Sequence, residues 1–584
     1  MTAPQPTPQA APQPPTRRHR SSAVHRYGPL VGILCAIALV AVLASVGRND
    51  QTLSASGSAS STPGSANADL PVTYDEAKAS GADLAAYGDR CDPATGKIKM
   101  PTIFAPPCVP VFTGDNGGET SKGVTADTIK VVYYRPAANG DLTSLLQGLL
   151  DTPEAAIATA QAYTAMFNDL YETYGRKIEL VGFDASGPAT DETAARADAI
   201  KVADEIGAFA SLGGPNLAQS YASELAARGV LCIGCGLGSP DSAYQKNAPY
   251  MWGGQATPEE FLLNLGDLIT NRLNGKKAVF GGDDVKDKER VFGVVHFEQE
   301  VPVFKEVEAQ VAEEGAKRGY KAAATETYTL DLSKAPERSR TIIAKMKEAG
   351  VTSIIFLGDP IMPISLTQAA TEQNYFPEWI VTGTVLTDTS ALARRYDPKQ
   401  WSHAFGISSL AARTPREQVD PYKLHEWYFG QPPAAKTTNA IIFSGISQVA
   451  LGIHMAGPKL TPETFRDGLF KYPPTGGGPT TPRISFGNHG VFVNPDGTER
   501  TDYLGIDDVT LIWWDPTAQG VDESGQDGVG MYRYMDGGKR YLPGQMPKTD
   551  LNAFDPAGTV LVYDQPPPED KAPEYPPQNK PLPS

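Results

Sequence analysis

Between Ile129 and Gly383 the chain repeats one phrase: a short apolar run, a loop, then an amphipathic helical stretch. Ile129–Tyr134 is followed by Glu154–Tyr174, Ile178–Phe183 by Asp191–Ile206, and Ala208–Leu212 by Ala218–Arg228, with Val230–Ile233 next. The order restarts after Gln255 with Phe261–Asn274, Phe292–His296, Pro302–Arg318, Pro336–Ala349 and Ile354–Leu357. Apolar runs of this length between helical stretches predict βα units, hence an α/β fold of mainly parallel sheets covered by helices. Two consecutive series predict two lobes, and two lobes predict a cleft.

At 584 residues the chain exceeds what one core can organise, so several domains are expected. The formal charge of −16 includes the four arginines of the N-terminal arm, so the remainder is more acidic still. Such a surface repels phosphates, and nucleic acid is excluded as a partner. Residues 27–47 carry no charge and are rich in Leu, Ile, Val and Ala, long enough for a transmembrane helix. Arg17, Arg18, Arg20 and Arg26 precede it, which directs that end to the cytoplasm and the bulk of the chain outside. The competing reading is a signal segment cleaved near Ser45, which would give a secreted protein.

Besides Cys35 there are four cysteines, Cys91, Cys108, Cys232 and Cys235. An even number outside the membrane predicts two disulfides, and proximity in sequence favours Cys91–Cys108 and Cys232–Cys235. Composition divides the rest. Residues 1–26 are a Pro/Gln-rich arm expected to be disordered, 48–70 a flexible linker, and 71–123 a small disulfide-pinned pre-domain. Lobe one is assigned to 124–255 and lobe two to 256–408. Residues 409–478 are read as a return to lobe one. Residues 479–564 return to lobe two with a β-like extension, and 565–584 form a proline-rich tail expected to be disordered.

Several ordered phrases resemble the type I periplasmic-binding-protein family, in its leucine/isoleucine/valine-binding branch. Gly123-Val124-Thr125-Ala126-Asp127-Thr128-Ile129-Lys130 is similar to that family's opening strand. Gly175-Arg176-Lys177-Ile178-Glu179-Leu180, ending at Asp184, is similar to its second strand. Leu460-Thr461-Pro462-Glu463, Gly478-Pro479, Phe486 and Gly490 resemble its late helix and return. The resemblance implies a Venus-flytrap, two lobes joined by crossing segments and closing on a solute that an ABC permease then receives. In open α/β sheets ligands sit beyond the carboxyl ends of the strands. On this basis Asn216, Ser239, His296, Gln299, Asp359 and Thr384 are the expected ligand-binding residues.

This chain departs from the amino-acid binders of that family. The hydroxyls that hold an α-carboxylate are replaced by Pro215-Asn216 and Leu237-Gly238, with Ser239 displaced by one. The carboxylate that holds the α-ammonium is replaced by Thr384-Val385. A buried ammonium without an anion is heavily penalised, so an α-amino-acid ligand does not follow. The sequence holds no nucleophile elbow, zinc-protease helix or phosphate-binding loop, and no catalytic residue, metal site or cofactor is expected. The acidic loop of Asp515, Asp522, Glu523 and Asp527 misses EF-hand spacing. The expectation is therefore a membrane-anchored solute-binding protein for a small polar molecule. The alternative is an envelope scaffold or sensory module that keeps the fold with a degenerate site.

Overall fold

The structure, a computed structural model, describes residues 70–135, 151–215, 218–236, 239–254, 256–298, 305–493 and 497–583. The N-terminal arm, the apolar segment and the linker up to residue 69 lie outside the described residues, as do the candidate ligand residues Asn216 and Gln299.

A small hairpin, β1 (Cys91–Asp92) with β2 (Lys97–Ile98), belongs to the pre-domain, where the Cys91–Cys108 disulfide closes on a cluster of Tyr74, Ala77 and Tyr87. Lobe one contains β3 (Thr128–Arg135), β4 (Lys177–Asp184), β5 (Ala210–Leu212), β6 (Leu231–Ile233) and β7 (Met251–Trp252). All five are parallel, in the order β4-β3-β5-β6-β7. Helices between the strands start on caps written in the sequence. Thr152 precedes Pro153 and accepts from the amide of Ala155, and the Asp191 side chain accepts from Thr193 and Ala194.

Lobe two repeats the winding. Its strands β8 (Phe292–Phe297), β9 (Ala324–Tyr328), β10 (Ser353–Leu357), β11 (Glu378–Val381) and β12 (Ala404–Ser408) are ordered β9-β8-β10-β11-β12, again parallel. The antiparallel strands β13 (Val509–Val521) and β14 (Asp527–Tyr534) extend the sheet, and β15 (Arg540–Tyr541) pairs with β13. Strands β8, β10, β11 and β12 are buried along their whole length, as parallel strands covered on both faces must be.

The chain passes between the lobes three times. After β7 it enters Pro258–Leu268, whose Phe261, Leu265 and Leu268 pack under lobe two with Phe292 and Val294. After β12 it returns, and the helices Asp420–Phe429, Asn439–Ala456 and Pro462–Lys471 join the lobe-one core beside Tyr163 and Phe167. After Tyr503 and Leu504, still in that core, it leaves for β13. Asn439–Ala456 is, among the described residues, long and apolar enough to cross a membrane by length and composition, but it packs inside lobe one.

The tail differs from its compositional reading. Asp570 is buried, and the backbone of Tyr575, Pro576, Gln578 and Lys580 is hydrogen-bonded to Trp427 and Tyr428. Composition signals only that a segment cannot build its own core. A proline-rich strand is already extended and has no internal hydrogen bonds, so an existing surface can order it at small entropic cost.

Candidate functional site

All three crossings leave or enter a sheet at its carboxyl edge: from β7, from β12, and into β13 beside the end of β12. The carboxyl edges of both sheets therefore border the interlobe space. In each lobe the strand order reverses there, between β3 and β5 and between β8 and β10, the point at which open α/β sheets bind ligands.

On the lobe-one edge the loops after β5 and β6 are built from glycines. Gly213 has a φ of 71°, and a Cβ on Gly214 would stand 2.7 Å from the Tyr221 ring. The Cys232–Cys235 disulfide closes the turn after β6, and the Tyr244 hydroxyl donates to the carbonyls of Cys235 and Gly236 at 3.3 and 3.2 Å. Ser239 is buried and donates to Gln219 Oε1 at 2.6 Å. Its hydroxyl thus holds one loop to the next. Arg135 and Asp184, paired across the last register position of β3 and β4, form a bidentate ion pair with Nη2–Oδ2 at 2.7 Å and Nε–Oδ1 at 2.6 Å. Asp184 is largely exposed, which makes this pair an accessible charged feature of the edge.

On the lobe-two edge Asp359 and Thr384 come together with Tyr328, Thr382 and Gly358. The Tyr328 hydroxyl donates to Asp359 Oδ2, while Asp359 Oδ1 accepts from the amides of Ile361 and Met362 at 2.8 and 3.1 Å, in the turn that leads into the helix Met362–Glu372. Burial pushes the Asp359 carboxyl up against these hydrogen bonds, and burial with the adjacent carboxylate holds the Tyr328 phenol well above its ordinary value. Thr384 Oγ1 accepts from the Gly358 amide and can donate to the Gly358 carbonyl, both at 3.1 Å, tying two edge loops together. After it, Val385 and Leu386 have φ values of 47° and 65°, a region costly for residues with a Cβ and most of all for a β-branched one.

His296 lies elsewhere. It shares a face of β8 with Phe292 and Val294, and together they line a cavity of about 150 Å³ inside lobe two with Leu262, Leu265 and Leu357. Strand alternation decides this, since Val295 and Phe297 face the opposite layer.

Asp388 is a site feature the sequence reading missed. It is buried at the edge, accepts from the Ser408 hydroxyl at the end of β12, and has no hydrogen-bond partner on Oδ1 among the described residues. Burial pushes its pKa up to about 7, against the Ser408 hydrogen bond. A usable signal was present: Asp388 follows the strand whose next loop lacks the family's carboxylate, displaced by a few residues. The residues expected to form one acidic loop are divided by the hairpin, with Asp515 inside β13, Asp522 and Glu523 in the turn and Asp527 opening β14, and arginines balance them: Arg533 on Asp515, Arg394 on Asp522 and Arg413 on Glu523. Among the described residues no group of three or more His, Cys, Asp or Glu could hold a metal ion.

Two α/β lobes of identical winding, crossed three times and meeting at their carboxyl edges, define a two-lobed binding protein. The sequence profile of the periplasmic binding protein family matches residues 141–495, more than half of the 584 residues, and the chain belongs to that family, in its type I form. It is a family of binding proteins rather than enzymes. Comparison with curated proteins finds no match. Similar solved structures include a solute-binding protein of an ABC transporter from R. palustris in complex with 4-hydroxybenzoate. It is 13% identical with a TM-score of 0.48, over 72% of this chain and 98% of that one. Another is a branched-chain amino acid transporter substrate-binding protein from Streptococcus pneumoniae in complex with isoleucine, 13% identical with a TM-score of 0.44, over 70% and 100%. A fatty acid ABC transporter substrate-binding protein from Thermomonospora curvata is 14% identical with a TM-score of 0.45, over 77% and 100%.

Proposed function

We propose that this chain is an extracytoplasmic solute receptor, anchored through residues 27–47, that captures a small polar molecule between its lobes for an ABC permease. The observation that carries the reading is the bordering of the interlobe space by two carboxyl edges, each at its own topological reversal. Two disulfides are in keeping with an oxidising compartment outside the cytoplasm. In this reading Arg135, Asp184, Asp388 and the loops of Ser239, Asp359 and Thr384 face the ligand space, and closure is a hinge motion selected by ligand affinity for the closed state.

One observation favours the alternative of a scaffold or sensory module. Ser239 and Thr384 spend hydrogen bonds on neighbouring loops, and Asp359 spends its own on Tyr328 and on the amides of Ile361 and Met362, although all three are expected from the sequence to hold a ligand. A melting-temperature screen separates the two readings. Residues 69–584, with the docked tail kept, are tested against amino acids, amides, sugars, peptides and aromatic acids. A ligand at 100 times its Kd stabilises by about 2.7 kcal/mol, a shift that melting reads easily. If no compound raises the midpoint and none co-purifies, the receptor reading is abandoned for the scaffold.

A further inference from the structure

The end of the chain touches, in order, lobe two, a crossing, lobe one and the pre-domain. Val560 pairs with Tyr534 of β14 through two backbone hydrogen bonds of 2.8 and 2.9 Å. The amide of Tyr563 donates to the Arg413 carbonyl, on the second crossing, at 2.8 Å, and its hydroxyl donates to Gly537. Asp570 then docks into the glycine-rich loop that follows the lobe-one helices. Its Oδ2 accepts from the amide and hydroxyl of Thr480, both at 2.7 Å, and Oδ1 accepts from the Thr481 hydroxyl. The fit is close: a Cβ on Gly478 would overlap the Asp570 carboxylate.

Further on, the Trp427 indole donates to the carbonyls of Tyr575 and Pro576 at 3.2 and 2.9 Å. The amides of Gln578 and Lys580 donate to the carbonyls of Trp427 and Tyr428, both at 2.8 Å. Tyr575 reaches the pre-domain, donating to Asp92 at 2.7 Å. Alternate contacts from a prolyl backbone to an indole and a helix end are how aromatic surfaces hold extended proline-rich segments.

We propose that residues 565–583 are a strap, a fourth connection that fastens lobe two to lobe one and the pre-domain and limits how far the lobes part. The three crossings run through the hinge; the strap touches the second of them at Arg413 and takes its outer grips beyond it, on β14 in lobe two and on Trp427 in lobe one. Opening the lobes stretches the segment between Tyr563 and Asp570, which are separated by only six residues. The surface around Trp427, Tyr428 and Asp92 is correspondingly a docking groove whose occupant is this chain's own proline-rich end.

The test uses the full chain, labelled in pairs on the exposed residues Glu154 of lobe one and Glu348 of lobe two for distance measurement, without any ligand. Ending the chain at Asp564 is expected to shift the distance distribution to longer values. A synthetic peptide of residues 565–584 is expected to reverse the shift in trans. It is needed at roughly millimolar concentration, since a tethered segment works at an effective concentration of that order. Asp570→Asn and Trp427→Ala in the full chain give the same shift to a smaller degree, and serve if the shortened chain does not fold. An unchanged distance distribution in the shortened chain and both point variants overturns the strap, even if melting falls, because the tail would then be packing alone. Peptide binding that leaves the distances long overturns it as well.

Discussion

In each lobe a buried arginine precedes a strand at the amino edge of the sheet, Arg176 before β4 and Arg290 before β8, and the two are satisfied differently. In lobe one Arg176, just before β4, meets only carbonyls: Thr125 at 2.7 Å, Pro458 at 2.8 Å, Asn116 at 2.6 Å and Gly118 at 3.2 Å. In lobe two Arg290 makes a bidentate pair with Glu378, the first residue of β11, at 2.8 and 2.9 Å, and Ser353 and the Phe280 amide complete the carboxylate's shell. Both partners of that pair are almost wholly buried, at 2% and 0% exposure. Carbonyls stripped of a donor regain part of their solvation if water enters, whereas a buried carboxylate stripped of its cation does not. The two lobes share a winding and differ in what their rims risk.

The largest expected effect follows directly. Arg290→Met leaves Glu378 buried and unpaired, and unfolding in urea should show a loss of about 3–5 kcal/mol. Adding Glu378→Leu should return most of it, because an apolar pair of similar volume often replaces a buried ion pair without loss. A double variant as unstable as the single one would mean that Ser353 and Phe280, and not the charge, set the cost. Arg176→Met should cost less, about 1–3 kcal/mol for carbonyls left without a donor. If it costs as much as Arg290→Met, the contrast between the two rims is wrong.

The same contrast appears with pH. Asp388, on the lobe-two edge, has its pKa raised by burial to about 7, with Glu523 pushing further up and Ser408 and Arg540 pulling down. A raised carboxyl binds more protons folded than unfolded, so its contribution is present at low pH and is lost as pH rises from about 4 through 7. Asp507, also pushed up to about 7, shares that window, so Asp388→Asn should flatten the slope only in part. His454 in lobe one has the opposite sign. Buried, with Nδ1 accepting from the Glu172 amide and Nε2 against the Pro107 carbonyl, it is pushed down to about 4. Its stabilisation is lost as pH falls from about 6.5 to 4. Amide exchange should therefore show loosening around residues 171–175 and 439–456 as pH falls from about 6.5 to 4, and loosening around 384–390 as pH rises from about 4 to 7. Loosening of both regions at the same pH would erase the distinction.

How much of this the sequence reveals depends on what each element needs. Buried parallel strands such as β8 and β10 are continuous apolar runs and can be read directly, as can helices opened by Thr152-Pro153 or Thr461-Pro462. Strand β9, Ala324–Tyr328, cannot, because it is a half-buried edge strand with Thr and Glu at alternate places. Missing β9 hides Tyr328, and with it the reason Asp359 is already engaged. The Arg135–Asp184 pair is similarly hidden, since only the register of β3 against β4 brings the two together. The placement of His296 turns on which face of one strand looks inward, a parity that a run of six buried residues does not display. The docked tail is hidden for another reason: its partners, Trp427 and Thr480, are distant in sequence and its own composition supplies no core.

The smallest effect tests the carboxyl edges. Lobe one meets its left-handed positions with glycine, as at Gly213, where a Cβ would find open space. Lobe two uses glycine at Gly383 but places Val385 and Leu386 at the next two left-handed positions. Gly213→Ala should then cost about 1 kcal/mol, the conformational penalty of a Cβ at positive φ without a clash. Val385→Gly should do the reverse. Relief of the strained Val is worth of order 1–3 kcal/mol, and the added freedom of the unfolded chain takes back about 0.5–1, leaving a gain of about 1 kcal/mol. A rise in melting temperature for Val385→Gly would mean that lobe two keeps a strained loop at its carboxyl edge against its own stability. A fall would mean that the half-buried Val side chain contributes more packing than its backbone loses, and the two edges would then differ in residue type alone.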